Sequence, residues 1–273
     1  MKDIMITGTM KDGKTINLSE IDMENITAMK ALRLSAMKEE YMRLVDTGEI
    51  CTEPVEKIIN RLLVSQTMKR LQNTTQKRIK KANLWYEEAS VINLEAENIS
   101  ADRNVLNNVL RFNFIKAGSV VNITGGTRTG KTFLACAIGA KACEAKIDTL
   151  YIRFAALIKE GYRSPKEHDL LIDLNYIRNV DLLIIDDFAQ TEEPLTVEEK
   201  DMIKDLMDYR KRGKGTMFVS HLNVDGWIAK LNIGKNKGAA FKQWFNSGQT
   251  LHLGASPLTE EQNSRFFKVV AVE

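Results

Sequence analysis

Cysteine and histidine are scarce in this chain, with three of each in 273 residues. Cys51, Cys136 and Cys143 are an odd number without metal-ligand spacing, and His168, His221 and His252 lie far apart, which argues against a structural zinc. Cys136 and Cys143 fall seven apart on one face of a predicted helix and read as small buried hydrophobes. No apolar run approaches the roughly eighteen residues a membrane-spanning helix needs. The opening MKDIMITGTMKDGK has neither the apolar core nor the cleavage pattern of a signal peptide, so a cytosolic protein is expected. An excess of one charge is also missing: 39 Lys and Arg face 36 Asp and Glu, so net charge selects no partner.

What is present fits a globular protein. Hydrophobic residues make up 44% and charged residues 27%, enough for a sizeable core. The length predicts one large domain and a smaller one. Ile4, Ile6, Ile16 and Leu18 alternate around Lys11-Asp12-Gly13-Lys14, the pattern of a short hairpin. From Asp22 the period turns helical, with Met29, Leu32, Ala36, Met37, Tyr41 and Leu44 on one face and a stop at Thr47-Gly48. A second helix opens near Thr52, with Pro54 in its first turn. Its apolar stripe is Val55, Ile58, Ile59, Leu62 and Leu63, and it continues towards Lys81. These segments predict a mainly helical N-terminal domain over 1–84, followed by a second domain over 85–273.

Charge is distributed unevenly along that helix. Lys57, Arg61, Lys69, Arg70, Lys77, Arg78, Lys80 and Lys81 follow one another with no acidic residue between Glu56 and Glu87. Solvated helix faces usually mix signs, so the tract points to a polyanion, with Lys69, Arg70, Lys77, Arg78, Lys80 and Lys81 as candidate DNA contacts. Only Trp85 and Tyr86 flank it, and so few aromatics suit duplex phosphates better than stacked single-strand bases.

Beyond residue 118, short apolar runs alternate with helical segments. The runs are Val120–Ile123, Leu150–Ile152, Leu182–Ile185, Met217–Val219 and, more weakly, Leu251–Leu253. This is the signature of an α/β domain with a mostly parallel sheet flanked by helices.

One motif carries the chemistry. Gly125, Gly126, Thr127, Arg128, Thr129, Gly130, Lys131 and Thr132 fit G-x-x-x-x-G-K-[ST] between an apolar strand and a helix that opens with Phe133. Small residues let backbone N–H groups wrap phosphates, and the helix N-terminus adds partial positive charge. Lys131 puts an ammonium against the β- and γ-phosphates of ATP, and the Thr132 hydroxyl serves Mg²⁺. Arg128 stands where many such loops carry glycine, and points outward or touches a phosphate or a neighbouring subunit. Leu182-Leu183-Ile184-Ile185-Asp186-Asp187 ends a strand where open α/β sheets bind ligands. There Asp186 is placed for Mg²⁺, directly or through water, and Asp187 for activating the attacking water. Aspartate reaches less far than glutamate, so hydrolysis is expected to be slow or partner-stimulated. His221, in preference to Asn223, is the candidate γ-phosphate sensor at the end of the Thr216–Val219 strand.

Together these residues resemble the IstB-like and DnaC-like branch of the AAA+ ATPases. Ala31–Met37 looks like the opening helix of IstB-like transposition helpers, and Pro54–Leu84 resembles their basic second segment. The phosphate loop with Phe133-Leu134-Ala135, then Asp181–Asp187, then Gly215–Trp227 follow the family's order and spacing. The resemblance implies a P-loop AAA+ sheet in the order five-one-four-three-two and ATP-dependent assembly into a homo-oligomer, ring or helical filament. It also implies binding to duplex DNA and cooperation with an insertion-sequence transposase. The runner-up is a DnaC-like replicative helicase loader. The family's Asp-Arg pair before the last strand is replaced here by Phe241-Lys242-Gln243-Trp244-Phe245, which makes Lys242 the candidate cation acting in trans. Arg265 is the candidate arginine reading the nucleotide.

Overall fold

A computed structural model describes residues 6–9, 13–94, 101–161, 174–191, 193–232 and 235–254. The chain divides into two compact units, Met1–Gln76 and Lys77–Glu273. The division falls inside one long helix, upstream of the boundary expected at residue 84.

In the first unit, β1 (Ile6–Thr9) and β2 (Thr15–Leu18) pair antiparallel, in register Ile6 with Leu18 and Thr9 with Thr15. This is the expected hairpin; Ile4, Lys11 and Asp12 lie outside the described residues. The single helix expected from Asp22 to Thr47 is instead two, α1 (Glu20–Ala31) and α2 (Ser35–Thr47). Ser19 starts α1 with a reciprocal capping box, its hydroxyl bonding the Asp22 N–H while the Asp22 carboxylate accepts from the Ser19 N–H. Arg33, at φ 56, turns the chain between them. No Gly or Pro marks that break, and α2 has no side-chain cap of its own. Its first N–H groups, those of Ala36 and Met37, donate at 3.1 and 3.2 Å to the buried Gln66 side chain thirty residues away. Leu32, expected on the apolar face, is left exposed at the break.

Gly48, at φ 72, ends α2 as expected, and a short α3 (Glu49–Thr52) leads to Pro54 and α4 (Val55–Ala82). The five-residue apolar stripe of α4 does not bury as a unit. Leu62 packs on the small core of Ile16, Leu18, Ile26, Tyr41 and Met42, whereas Val55, Ile59 and Leu63 are exposed. Arg61, counted in the basic tract, is held by Glu40 at 3.0 Å and Glu49 at 2.5 Å.

The second unit takes the last turns of α4, then α5 (Arg103–Val109) and α6 (Asn113–Lys116). The alternation that follows runs β3 (Val120–Gly125), α7 (Lys131–Glu144), β4 (Thr149–Arg153), α8 (Phe154–Gly161), α9 (Leu174–Asn179) and β5 (Leu182–Asp186). It continues with α10 (Val197–Arg210), β6 (Gly215–Ser220), α11 (Val224–Leu231), α12 (Lys235–Asn246) and β7 (Gln249–Leu253). The strands form one parallel sheet in the order β4-β5-β6-β3-β7. Counted within the unit and read from the other edge, this is the expected five-one-four-three-two.

Both faces of the sheet are covered, which explains why its strands read as continuous apolar runs. Leu182 and Ile184 of β5 face the core that includes α7, while Leu183 and Ile185 face the core that includes α10 and α12. Each such fully buried Leu or Ile contributes about 1.5–3 kcal/mol. Cys136 and Cys143 are buried in α7 as expected, and burial pushes the Cys136 thiol up to about 12. On the other face, Asn122 of β3 donates to the Phe245 carbonyl at 2.8 Å and the Trp244 indole donates to the Gly118 carbonyl at 3.1 Å, fastening α12 to β3 and the residues leading into it.

Candidate active site

The phosphate loop spans the turn from β3 into α7, at the carboxyl end of β3. Gly125 leaves β3 at φ 150, and a Cβ there would lie 2.4 Å from the Leu253 carbonyl oxygen, so only glycine fits. Gly130 caps α7 at φ 85. Arg128 has φ 62, a left-handed conformation that non-glycine residues seldom adopt, and its side chain is exposed. Between them the Thr129 hydroxyl donates to the Gly126 carbonyl at 3.0 Å, and the Lys131 ammonium folds onto the same carbonyl. Burial holds the Lys131 pKa below the usual lysine value, while the charges of Asp186 and Asp187 pull it back up. Phe133 is buried behind the loop, its ring 5.8 Å from that of Tyr86.

Asp186, at the end of β5, is buried and densely bonded. Its Oδ2 accepts from the Thr132 hydroxyl at 2.8 Å and from the buried Tyr151 phenol at 2.7 Å; its Oδ1 accepts from the Asp187 N–H at 2.8 Å. The Thr132 proton is committed to the carboxylate, which leaves the hydroxyl lone pairs for a cation. Asp186 keeps one lone-pair position on Oδ1, so a small octahedral cation such as Mg²⁺ can take the Thr132 oxygen and meet Asp186 through that single oxygen, directly or across a water. Sequence reasoning missed Tyr151; the only signal was a hydroxyl-bearing ring inside the otherwise apolar Leu150–Ile152 run.

Asp187 has φ 52. Aspartate tolerates this left-handed conformation better than most residues do, which is a physical reason for the shorter acid here. Burial raises its pKa and the neighbouring Asp186 charge adds to that; Arg153, Lys131 and His221 oppose it. Asp187 and His221 both line a cavity of about 810 Å³ with Arg153, Lys159, Gln190 and Lys230. The Phe188 N–H donates to the Val219 carbonyl and the Ser220 hydroxyl donates to the Phe188 carbonyl, each at 2.9 Å, tying the two strand tips together. The His221 Nδ1 lies 2.5 Å from the Gln190 amide. Arg153, at the tip of β4, stacks 3.8 Å over the Trp85 ring.

The remaining candidates lie elsewhere. Lys242 forms an exposed pair with Asp225 at 2.5 Å. Arg265 lies outside the described residues. On α4, Lys69, Arg70, Lys77 and Lys80 are exposed and Arg78 is half-buried. Lys81 is engaged by Asp148 at 3.1 Å and lies 4.7 Å from the Tyr176 ring centroid, so it is less available than the sequence suggests.

The model of the family described as IstB-like ATP binding protein matches residues 27–239. The chain belongs to this family. Its relatives include an insertion-sequence ATP-binding protein of Sinorhizobium fredii, 24% identical over 76% of this chain and 83% of the relative. Another, of Pseudomonas fluorescens, is 25% identical over 68% of this chain and 79% of the relative. Among solved structures, that of DnaI is similar with a TM-score of 0.48 at 20% identity, covering 61% of this chain and 91% of that one. The match spans the last five residues of α1, all of α2 to α11 and the phosphate loop, so this IstB-like chain carries the family's sequence across both units. Among the described residues, no helix is long and apolar enough to cross a membrane.

Proposed function

We propose that this chain is a DNA-bound regulatory ATPase that oligomerises on duplex DNA with ATP and assists an insertion-sequence transposase. The observation that carries the ATPase reading is the Lys131, Thr132, Asp186 and Asp187 constellation at the carboxyl ends of β3 and β5. In this reading the loop N–H groups and Lys131 hold the phosphates, Thr132 and Asp186 hold Mg²⁺, and Asp187 orients the attacking water with His221 beside it. Bound Mg²⁺ would neutralise charge on the β- and γ-phosphate oxygens. The raised pKa of Asp187 strengthens it as a base once it is ionised.

The DNA reading is supported by the face that α4 presents. Lys69 and Arg70 are exposed on the first unit's part of α4, and on the second unit's part Lys77 and Lys80 are exposed and, three residues apart, neighbours on one helix side. Exposed cations of this kind suit the phosphates of a duplex without reading bases. The insertion-sequence names of the relatives support a transposase as the protein partner. Lys242 is assigned to the neighbouring subunit's γ-phosphate, exchanging its exposed partner Asp225 on assembly.

Replacing Lys69, Arg70, Lys77 and Lys80 with glutamine tests the DNA contact. Affinity for unrelated duplexes is expected to fall alike, and the salt dependence to lose up to about four contacts' worth of slope. Unchanged affinity and slope would return these four cations to a solvated surface.

A further inference from the structure

A carboxylate offers about four lone-pair positions, two on each oxygen. In Asp186 both positions on Oδ2 are taken, one by the Thr132 hydroxyl at 2.8 Å and one by the Tyr151 phenol at 2.7 Å. One position on Oδ1 is taken by the Asp187 N–H at 2.8 Å. A single position remains, on Oδ1. Asp186 therefore meets a cation through one oxygen, directly or across a water, and cannot chelate it with both.

That restriction discriminates between the common hard cations. Mg²⁺ is small, demands near-ideal octahedral geometry, keeps several waters and is satisfied by single-oxygen carboxylate contacts. Ca²⁺ takes six to eight oxygens at longer range and gains from a carboxylate that binds with both. Of the two hydroxyls on Oδ2, Thr132 belongs to the phosphate loop and serves any cation there. Tyr151 has no such duty. It is 2% exposed, lies on β4 opposite Ile184 of β5, and packs in the core beside α7, so its phenol is fixed in place.

We propose that Tyr151 is a positioning residue that sets the selectivity of the nucleotide site for Mg²⁺ over Ca²⁺, by occupying the second lone-pair position of Asp186 Oδ2. The proposal rests on the reading of Thr132 and Asp186 as the holders of the cation that accompanies ATP. The phenol inside the apolar Leu150–Ile152 run gives no partner by itself; only the pairing of β4 with β5 brings it to Asp186.

The experiment measures the dissociation constant of a fluorescent ATP analogue with excess Mg²⁺, with excess Ca²⁺ and with chelator, in wild type and Tyr151→Phe. The substitution removes one oxygen and keeps the ring; circular dichroism and the affinity in chelator report whether the fold is intact. Expected is a wild type that prefers Mg²⁺, and a variant whose preference over Ca²⁺ shrinks about tenfold, the scale of one hydrogen bond to a charged group. An unchanged Mg²⁺-to-Ca²⁺ ratio in a folded variant, with binding still dependent on the cation, would overturn the role of Tyr151 alone. If the variant does not fold, wild type still decides, since equal support of binding by the two cations would also overturn it. If neither cation strengthens binding in wild type, the cation reading of Thr132 and Asp186 fails and the proposal fails with it.

Discussion

Arg210 closes α10 and is fully buried, although nothing in its sequence context separates it from a surface arginine. Its Nε donates to the Thr216 hydroxyl at 2.9 Å. Its Nη1 donates to the carbonyls of Ile177, Arg178 and Val180 at 3.0, 3.1 and 2.9 Å, and its Nη2 to the Gly215 carbonyl. One guanidinium therefore fastens the end of α9, the approach to β5 and the start of β6. Burial pulls its pKa down, with Asp181 opposing, but the group remains a cation at neutral pH. Arg210→Ala leaves four carbonyls and a hydroxyl without their donor. Each hydrogen bond from a charged group is worth about 1.5–3 kcal/mol, yet the sum overshoots, because the wild type also bears the desolvation of the charge and water enters the gap. The net loss should be about 3–5 kcal/mol, a large part of a typical domain stability. With a urea slope of about 2–3 kcal/mol/M, the midpoint should drop by about 1–2.5 M. All three tryptophans, Trp85, Trp227 and Trp244, belong to the second unit, so their fluorescence during urea unfolding follows that unit alone. A midpoint within about 0.3 M of wild type would refute the reasoning.

Two further perturbations probe the first unit and the assembly. The Asp22 carboxylate is partly desolvated by burial, which raises its pKa. Bonds from Ser19 and Tyr41 outweigh this and leave it below the usual value. Its stabilising contribution is therefore present above the unfolded-state pKa near 3.8 and disappears as pH falls through the lower folded value. Asp22→Asn should cost about 1 kcal/mol at pH 7, and the gap between the two urea midpoints, followed by far-ultraviolet circular dichroism, should close as pH drops below about 4. A gap that stays constant with pH would remove the ionised carboxylate from the account. Lys242→Ala should shift stability by less than about 1 kcal/mol, because its pair with Asp225 is exposed. In light scattering with ATP and duplex DNA, the same variant should lose assembly, and wild-type assembly would move the trans contact to another residue.

Much of this architecture was legible because its signals are local. The phosphate loop is fixed by the types and spacing of Gly125, Gly130, Lys131 and Thr132, and the two-faced burial of the sheet makes its strands read as apolar runs. The features that escaped depend on distant partners. The break between α1 and α2 carries no Gly or Pro, only Arg33 at positive φ and a cap lent by Gln66. Arg210, which its sequence context does not separate from a surface arginine, is a buried strut. Lys81 and Arg61 belong to a basic tract in sequence, and only the fold supplies Asp148, Glu40 and Glu49 as their partners. Tyr151 shows its role only when β4 lies beside β5 and its hydroxyl meets Asp186.

The central claim, that the loop from Gly125 to Thr132 binds the phosphates of ATP, is tested most directly by titrating a fluorescent ATP analogue into wild type and Lys131→Ala. Lys131 supplies the loop's ammonium and sits within the electrostatic reach of Asp186 and Asp187. Its removal deletes charge-assisted bonds to phosphate, each worth about 1.5–3 kcal/mol, so affinity should fall by about ten- to a hundredfold or more while the fold is kept. Wild-type affinity in a folded Lys131→Ala protein would contradict the assignment of the site.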